Sequence, residues 1–272
     1  MLEAKSDKFW KVIDQKAEIK QVATGFAFTE GPVFSRRGYL LFSDIPNQKI
    51  MKWERGQLTT FRENSNKANG LTFDHQGRLL TAEGGARVTR TEKDGKITVL
   101  AEEGLQGPND IVYSIDGSVY FTDLPKGRVY QITRQRSGVG GAPPKGEVRV
   151  VAESPAPNGV ALSPNQLQVY VADVKTNIVK IYDVEGDGKL KNGRDFAQLR
   201  VDGLKTDEAG NVWMASRDGI YVYDVKGEHL GTIKTPEGPS NCCFGEGFRG
   251  LYITARKSVY HVPTKTNGTR TF

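Results

Sequence analysis

The chain has 272 residues, 37% of them hydrophobic, and carries 38 Lys and Arg against 32 Asp and Glu, for a formal charge of +6. That length fits one or two domains, and the apolar content is low for a globular chain. The mild positive charge does not make a nucleic-acid binder, since basic residues are mixed with acids, Arg134, Arg136 and Lys145 form the one local cluster, and no DNA- or RNA-binding motif occurs.

In chain order, Lys5 to Lys16 is the one stretch with helical spacing, through Phe9, Trp10 and Ile13. Residues 1–17 are expected to be an extension outside the main fold. The opening Met-Leu-Glu-Ala-Lys-Ser-Asp is not a signal peptide but is compatible with the remnant of a trimmed one, so the compartment stays open. No apolar run is long enough to span a membrane.

Glu18-Ile-Lys-Gln-Val-Ala then reads as a strand, and six copies of a short motif follow. They are Glu30-Gly-Pro-Val-Phe, Asn69-Gly-Leu-Thr-Phe, Asn109-Asp-Ile-Val-Tyr, Asn158-Gly-Val-Ala-Leu, Asp202-Gly-Leu-Lys-Thr and Asn241-Cys-Cys-Phe-Gly. Their separations are 39, 40, 49, 44 and 39 residues. A period of roughly 40–45 residues built from short strands is the mark of a propeller blade. Each repeat reads as four strands, with turns such as Asp116-Gly117, His75-Gln76-Gly77 and Glu208-Ala209-Gly210 between the first two.

The third repeat carries a Gly- and Pro-rich insertion, Gln135 to Gly146, expected to be a rim loop. It lacks the Lys-Ser/Thr of a phosphate-binding loop. The sixth repeat ends after Val262 with no fourth strand. Residues 18–24 precede Glu30 just as Lys96-Ile-Thr-Val-Leu-Ala precedes Asn109. The expected fold is therefore all-β, a six-bladed propeller over residues 18–272 whose N-terminal strand completes the last blade. That closure removes an exposed sheet edge.

Cys242 and Cys243 are adjacent, so a disulfide between them is disfavoured. They read as small buried residues of the last inner strand.

A pseudo-sixfold axis gathers the six motif heads at one end of the channel. Asn and Asp are common turn residues, so any single copy has a local explanation. Glu30 does not, because Glu is a poor turn former. Two carboxylates on one axis are unfavourable unless a cation or a proton compensates them. A ring of oxygen ligands alone suits Ca²⁺ or a similar divalent cation.

The phrases Thr29-Glu-Gly-Pro-Val-Phe, Asn69-Gly-Leu-Thr-Phe-Asp-His-Gln-Gly-Arg, Gly107-Pro-Asn-Asp-Ile-Val, Pro157-Asn-Gly-Val-Ala-Leu-Ser-Pro and Val201-Asp-Gly-Leu resemble the gluconolactonase, senescence marker protein (regucalcin) and luciferin-regenerating enzyme family. The resemblance covers nearly the whole chain. It implies a six-bladed propeller with a divalent metal in the channel mouth, Ca²⁺ in first place and Zn²⁺, Mg²⁺ or Mn²⁺ as alternatives. It also implies a small lactone as substrate. Carried over by motif, Glu30, Asn158 and Asp202 match metal ligands. Asn109 matches an asparagine that ligates metal in some members and contacts substrate in others. Asn69 and Asn241 occupy the same ring without a family ligand role and are candidates to bind substrate or water, or to hold turns.

Two departures stand out. Gly107 replaces an arginine that some sugar-lactone members carry two residues before the Asn109 position. No equivalent of the paraoxonase-type histidine pair exists, as His75, His229 and His261 fall in a turn, an outer strand and a third strand.

A lactone-opening water needs a base within hydrogen-bond reach. Asp202 is the favoured candidate. Asp110 is the other, although strand alternation is expected to turn its side chain from the channel. The competing readings are a non-catalytic metal-binding or interaction propeller, and an esterase for other substrates such as organophosphates.

Overall fold

The computed structural model describes residues 1–134, 146–245, 247 and 249–269. The insertion expected at Gln135–Gly146 therefore falls outside the described residues except for Gly146, as do Arg136 and Lys145.

Six antiparallel sheets stand around one axis. The inner strands are Thr29–Ser35, Ala68–Phe73, Pro108–Tyr113, Pro157–Leu162, Leu204–Thr206 and Pro239–Gly245. Blades one to four run outward in simple sequence order; in blade one the successors are Tyr39–Asp44, Lys49–Glu54 and Gln57–Arg62. Second strands such as Leu79–Glu83 and Val119–Asp123 are buried at every position, because neighbouring blades cover both of their faces. The apolar clusters accordingly bridge blades. Leu80 and Val88 of the second pack with Ile111, Phe121 and Tyr130 of the third.

Lys20–Thr24 pairs antiparallel with Ser258–Pro263, with Lys20 opposite His261 and Thr24 opposite Ser258. The N-terminal strand thus supplies the missing fourth strand of blade six, as expected. The residues before it are not loose. Leu2–Ala4 adds a fifth strand to blade five beside His229–Lys234. Phe9 and Ile13 are fully buried against Trp213, Leu230 and Ile253.

The helical spacing of Lys5–Lys16 produces only one turn, Phe9–Val12. At Ile13 the backbone is already extended, and Ile13 bridges Thr264. The turn has no side-chain cap. Two large apolar side chains are drawn into the core between blades five and six, and that packing outweighs the weak local helix preference.

The C-terminal segment returns to the axis. Thr269 donates its N–H to the Thr206 carbonyl at 3.0 Å, and the two hydroxyls lie 2.8 Å apart. Gly268 bridges Asp207. Thr269 lines the narrow inner channel together with inner-strand residues of every blade.

Deleting residues 1–24 removes the closing strand and two fully buried side chains. Each such side chain is worth roughly 3 kcal/mol. At ~2–4 °C per kcal/mol for a chain of this size, the melting temperature is expected to fall by at least about 10 °C. Thermal unfolding followed by circular dichroism measures this, and an unchanged midpoint would refute the closure.

Candidate functional site

Five of the six motif heads occupy a break in the sheet. The pairing of the first two strands skips register between Glu30 and Val33, Ala68 and Leu71, Pro108 and Ile111, Pro157 and Val160, and Pro239 and Asn241. A bulge bends its strand and re-aims the side chains it carries. Here it recurs at one level of the channel. In blade five the strand pairing begins only at Leu204, and Asp202 is held by its N–H to the Ala215 carbonyl at 2.9 Å.

In four blades the residue after the head is glycine, because the inner strands nearly touch there. Gly31 has φ +51°, and a Cβ there would collide with the Asn69 carbonyl. A Cβ on Gly70 would come within 2.7 Å of Asp110 Oδ1. Hydroxyls and amides stitch the blades together at this level. Ser43 Oγ donates to the Asn69 carbonyl at 2.8 Å, Thr122 Oγ1 to the Asn158 carbonyl at 2.6 Å, and Ser240 Oγ to the Thr29 carbonyl at 2.7 Å. Gly159 N–H donates to the Asp202 carbonyl at 2.8 Å.

The ring brings Glu30, Asn158, Asp202 and Asn241 into one interacting group. Glu30 is 4% exposed. Its Oε2 accepts from the Gly31 N–H and, at 3.2 Å, from Asn241 Nδ2. Burial, with the charges of Asp202 and Asp110 added, pushes its carboxyl well above the ordinary range. Burial likewise raises Asp202 to about 6, although the Asn158 hydrogen bond and the Arg200 charge pull it down. Asn158 is buried, while Asn69, Asn109 and Asp202 are partly exposed.

Asp110 does not turn away. It is 2% exposed and its charge acts on both Glu30 and Asp202. Its Oδ1 accepts from the Ile111 N–H at 2.9 Å and its Oδ2 from the Val160 N–H at 3.2 Å. It therefore ties blade three to blade four. The register skip beside it breaks the strict strand alternation on which the opposite expectation was built.

One residue of this group is absent from the sequence reading. Lys205, in the fifth inner strand, places Nζ 3.3 Å from Asn241 Oδ1 and 3.7 Å from Asp110 Oδ2. A signal existed: it is the only basic residue within the six motif copies. A second unread pattern is the aspartate ending three of the second strands. Asp44 accepts from the N–H groups of Ala27 and Phe28, Asp123 from those of Gln106 and Gly107, and Asp173 from that of Ala156. These carboxylates hold the loops that lead into the ring.

The histidines lie elsewhere. His75 Nδ1 is 2.6 Å from the Tyr113 hydroxyl, and His229 stacks on Tyr221 and Tyr223. Cys242 and Cys243 are free and buried, as expected, and burial pushes the Cys242 thiol up to about 12. The Gly107 position is filled from outside, since a Cβ there would meet Pro125 Cγ at 2.9 Å.

Among the described residues, no three His, Cys, Asp or Glu side chains gather closely enough to hold a metal by themselves. A cation in the ring would need carboxamide oxygens beside Glu30 and Asp202, and Asn158, which is hydrogen-bonded to Asp202, stands there. That donor set suits a hard divalent ion. Among the described residues the buried Asn69 Oδ1 has no hydrogen-bond partner, and it adds an acceptor at the same level.

A family profile described as the SMP-30/Gluconolactonase/LRE-like region matches residues 28–257. The chain is 31% identical to a gluconolactonase of Zymomonas mobilis over 299 aligned positions, spanning 94% of this chain and 84% of that protein. A solved gluconolactonase from Xanthomonas campestris superposes with TM-score 0.87 at 26% identity, over 97% of this chain and 94% of that one. A regucalcin from Agrobacterium tumefaciens, described as calcium-binding, superposes with TM-score 0.79 at 18% identity over 94% and 96% of the two chains, a likeness of fold alone.

The raised Asp202 carboxyl predicts a pH dependence in chelator-treated protein. A carboxyl that ionises near pH 6 when folded and near 3.8 when unfolded leaves stability untouched below about pH 4 and lowers it as pH rises through 6. Asp202→Asn removes that penalty. The variant is expected to gain on the order of 1–3 kcal/mol over wild type between pH 4 and pH 8, at ~1.4 kcal/mol per pKa unit. Urea unfolding at the two pH values reads the difference, and a constant offset would contradict it.

Proposed function

The chain belongs to the SMP-30/gluconolactonase/LRE-like family, and on that premise we propose that it is a metal-dependent hydrolase that opens a small lactone. The observation that carries this reading is the pair Glu30 and Asp202, two carboxyls raised by burial and by shared repulsion in one channel. A bound cation relieves both, whereas a pure interaction scaffold has no use for them. The named activity of the Zymomonas and Xanthomonas relatives supports the lactone. The calcium-binding regucalcin fold supports Ca²⁺ as the first metal to test, with Zn²⁺, Mg²⁺ and Mn²⁺ after it.

In this reading Glu30, Asn158, Asp202 and Asn109 hold the metal. When bound, the cation supplies polarisation of the lactone carbonyl oxygen. Asp202 accepts a proton from the attacking water as its oxygen bonds the carbonyl carbon. The ring C–O bond then breaks, and Asp202 returns the proton to the departing ring oxygen, leaving a hydroxy acid. Asp110 is the weaker candidate for this base, because backbone N–H groups and Lys205 already engage its oxygens. Asn69 Oδ1, buried without a partner, is suited to accept from a substrate hydroxyl. Asn241 is committed to Glu30, to Lys205 and to the Cys242 N–H, so it orders the ring and is less available to substrate.

A lactone panel followed by proton release, before and after chelation and with each metal added back, tests the activity. Hydrolysis that stops with chelator and returns with metal is expected. If no lactone is opened with any metal, the non-catalytic reading takes its place. Two substitutions divide the roles. Glu30→Gln is expected to weaken metal binding at least about tenfold by calorimetry, since it deletes one ligand charge. Asp202→Asn at saturating metal is expected to lower turnover by ~10²–10⁴, the scale for losing a general base. Unchanged turnover would move the base to Asp110.

A further inference from the structure

We propose that Lys205 sets the charge of the ring: its ammonium reduces three carboxylates to a net −2, which matches the site to a divalent rather than a trivalent cation. The inference rests on the reading of the ring as a cation site.

Lys205 Nζ donates to the Leu204 carbonyl at 3.0 Å and to Asn241 Oδ1 at 3.3 Å, and it lies 3.7 Å from Asp110 Oδ2. Its side chain is 23% exposed. Asn241 passes the contact on, with its Nδ2 donating to Glu30 Oε2 at 3.2 Å. The ammonium thus reaches Asp110 directly and Glu30 through one amide. Asp202 stands three residues before it on the same chain segment. Among the described residues, Lys205 is the one cation within ion-pair distance of any of the three acids. Arg200 and Arg256 also act on Asp202, but both are exposed, and solvent and salt screen them.

Glu30 and Asp202 bind a cation in their ionised forms. The buried group then contains Glu30, Asp110, Asp202 and the Lys205 ammonium. A divalent ion brings it to neutrality. A trivalent ion leaves one positive charge unpaired in the ring, which is disfavoured beside the neutral match of a divalent ion. Without Lys205 the acids carry −3, and the trivalent ion becomes the neutral match. Tb³⁺ is the probe, because it has nearly the size of Ca²⁺ and the same preference for oxygen.

Wild type, Lys205→Met, Lys205→Gln and Lys205→Arg are titrated with Ca²⁺ and with Tb³⁺ by calorimetry, and circular dichroism records folding. In the two neutral variants the ratio of Tb³⁺ to Ca²⁺ affinity is expected to rise at least about tenfold, the effect of one unit charge several ångströms away at an effective dielectric near 20. Lys205→Arg keeps the charge and is expected to keep the wild-type ratio. Lys205→Gln retains a polar end beside Asn241, so it reports the charge even if Lys205→Met does not fold. An unchanged ratio in a folded neutral variant overturns the proposal, as does an equal rise in Lys205→Arg. Wild type that binds neither ion overturns the cation reading itself, and the proposal with it. Binding by wild type with no change in ratio removes only the role given to Lys205.

Discussion

Six inner strands packed shoulder to shoulder around an axis leave almost no room for side chains, and everything notable about this protein follows from that crowding. The residue after a motif head is glycine in four blades, and Gly31 and Gly70 show why, since a Cβ at either would strike the next strand. The heads themselves have one direction left to them. The bulge at or beside five of them turns that restriction into a site.

Crowding also decides the electrostatics. Burial and the neighbouring Asp110 charge raise both Glu30 and Asp202, so the raised carboxyls are a property of the packing. The protein relieves part of the strain itself. Asn241 accepts from Lys205 on one side and donates to Glu30 on the other. Asp110 is partly neutralised by the backbone N–H groups it binds. What remains unrelieved is the cost of ionising Glu30 and Asp202, which a bound cation would offset in the function proposed above.

The period of the motif heads, the turns between strands and the short sixth repeat were enough to reach six blades closed by Lys20–Thr24, because each is a local pattern repeated many times. Glu30 stood out in the sequence because a glutamate is out of place in a turn, and the fold buries it in the ring. Three things were not. The Asp110 side chain defied strand alternation because the register skips beside it, and a register skip leaves no mark in one sequence. Lys205 was passed over, although it interrupts the uncharged pattern of an inner strand. The helical period near Phe9 was real but described a face that packs, and the helix it suggested is a single turn. Each of the three misreadings comes from tertiary contacts that a local pattern does not contain.

The bulges at the heads have a bearing on descent. In blade one the sheet pairs Glu30 with Ser43 and resumes at Val33 with Leu41; in blade four it leaves Asn158 out of the pairing altogether. Asn158 therefore adds nothing to the ladder that holds its blade, and Glu30 sits at the edge of a break in its own. Exchanging one polar head for another alters the chemistry at the axis while the architecture survives. Substitution at the neighbouring glycines disrupts the frame at once. A lineage built on this plan is free to drift in substrate and metal at six addresses, and is held fast one residue further along.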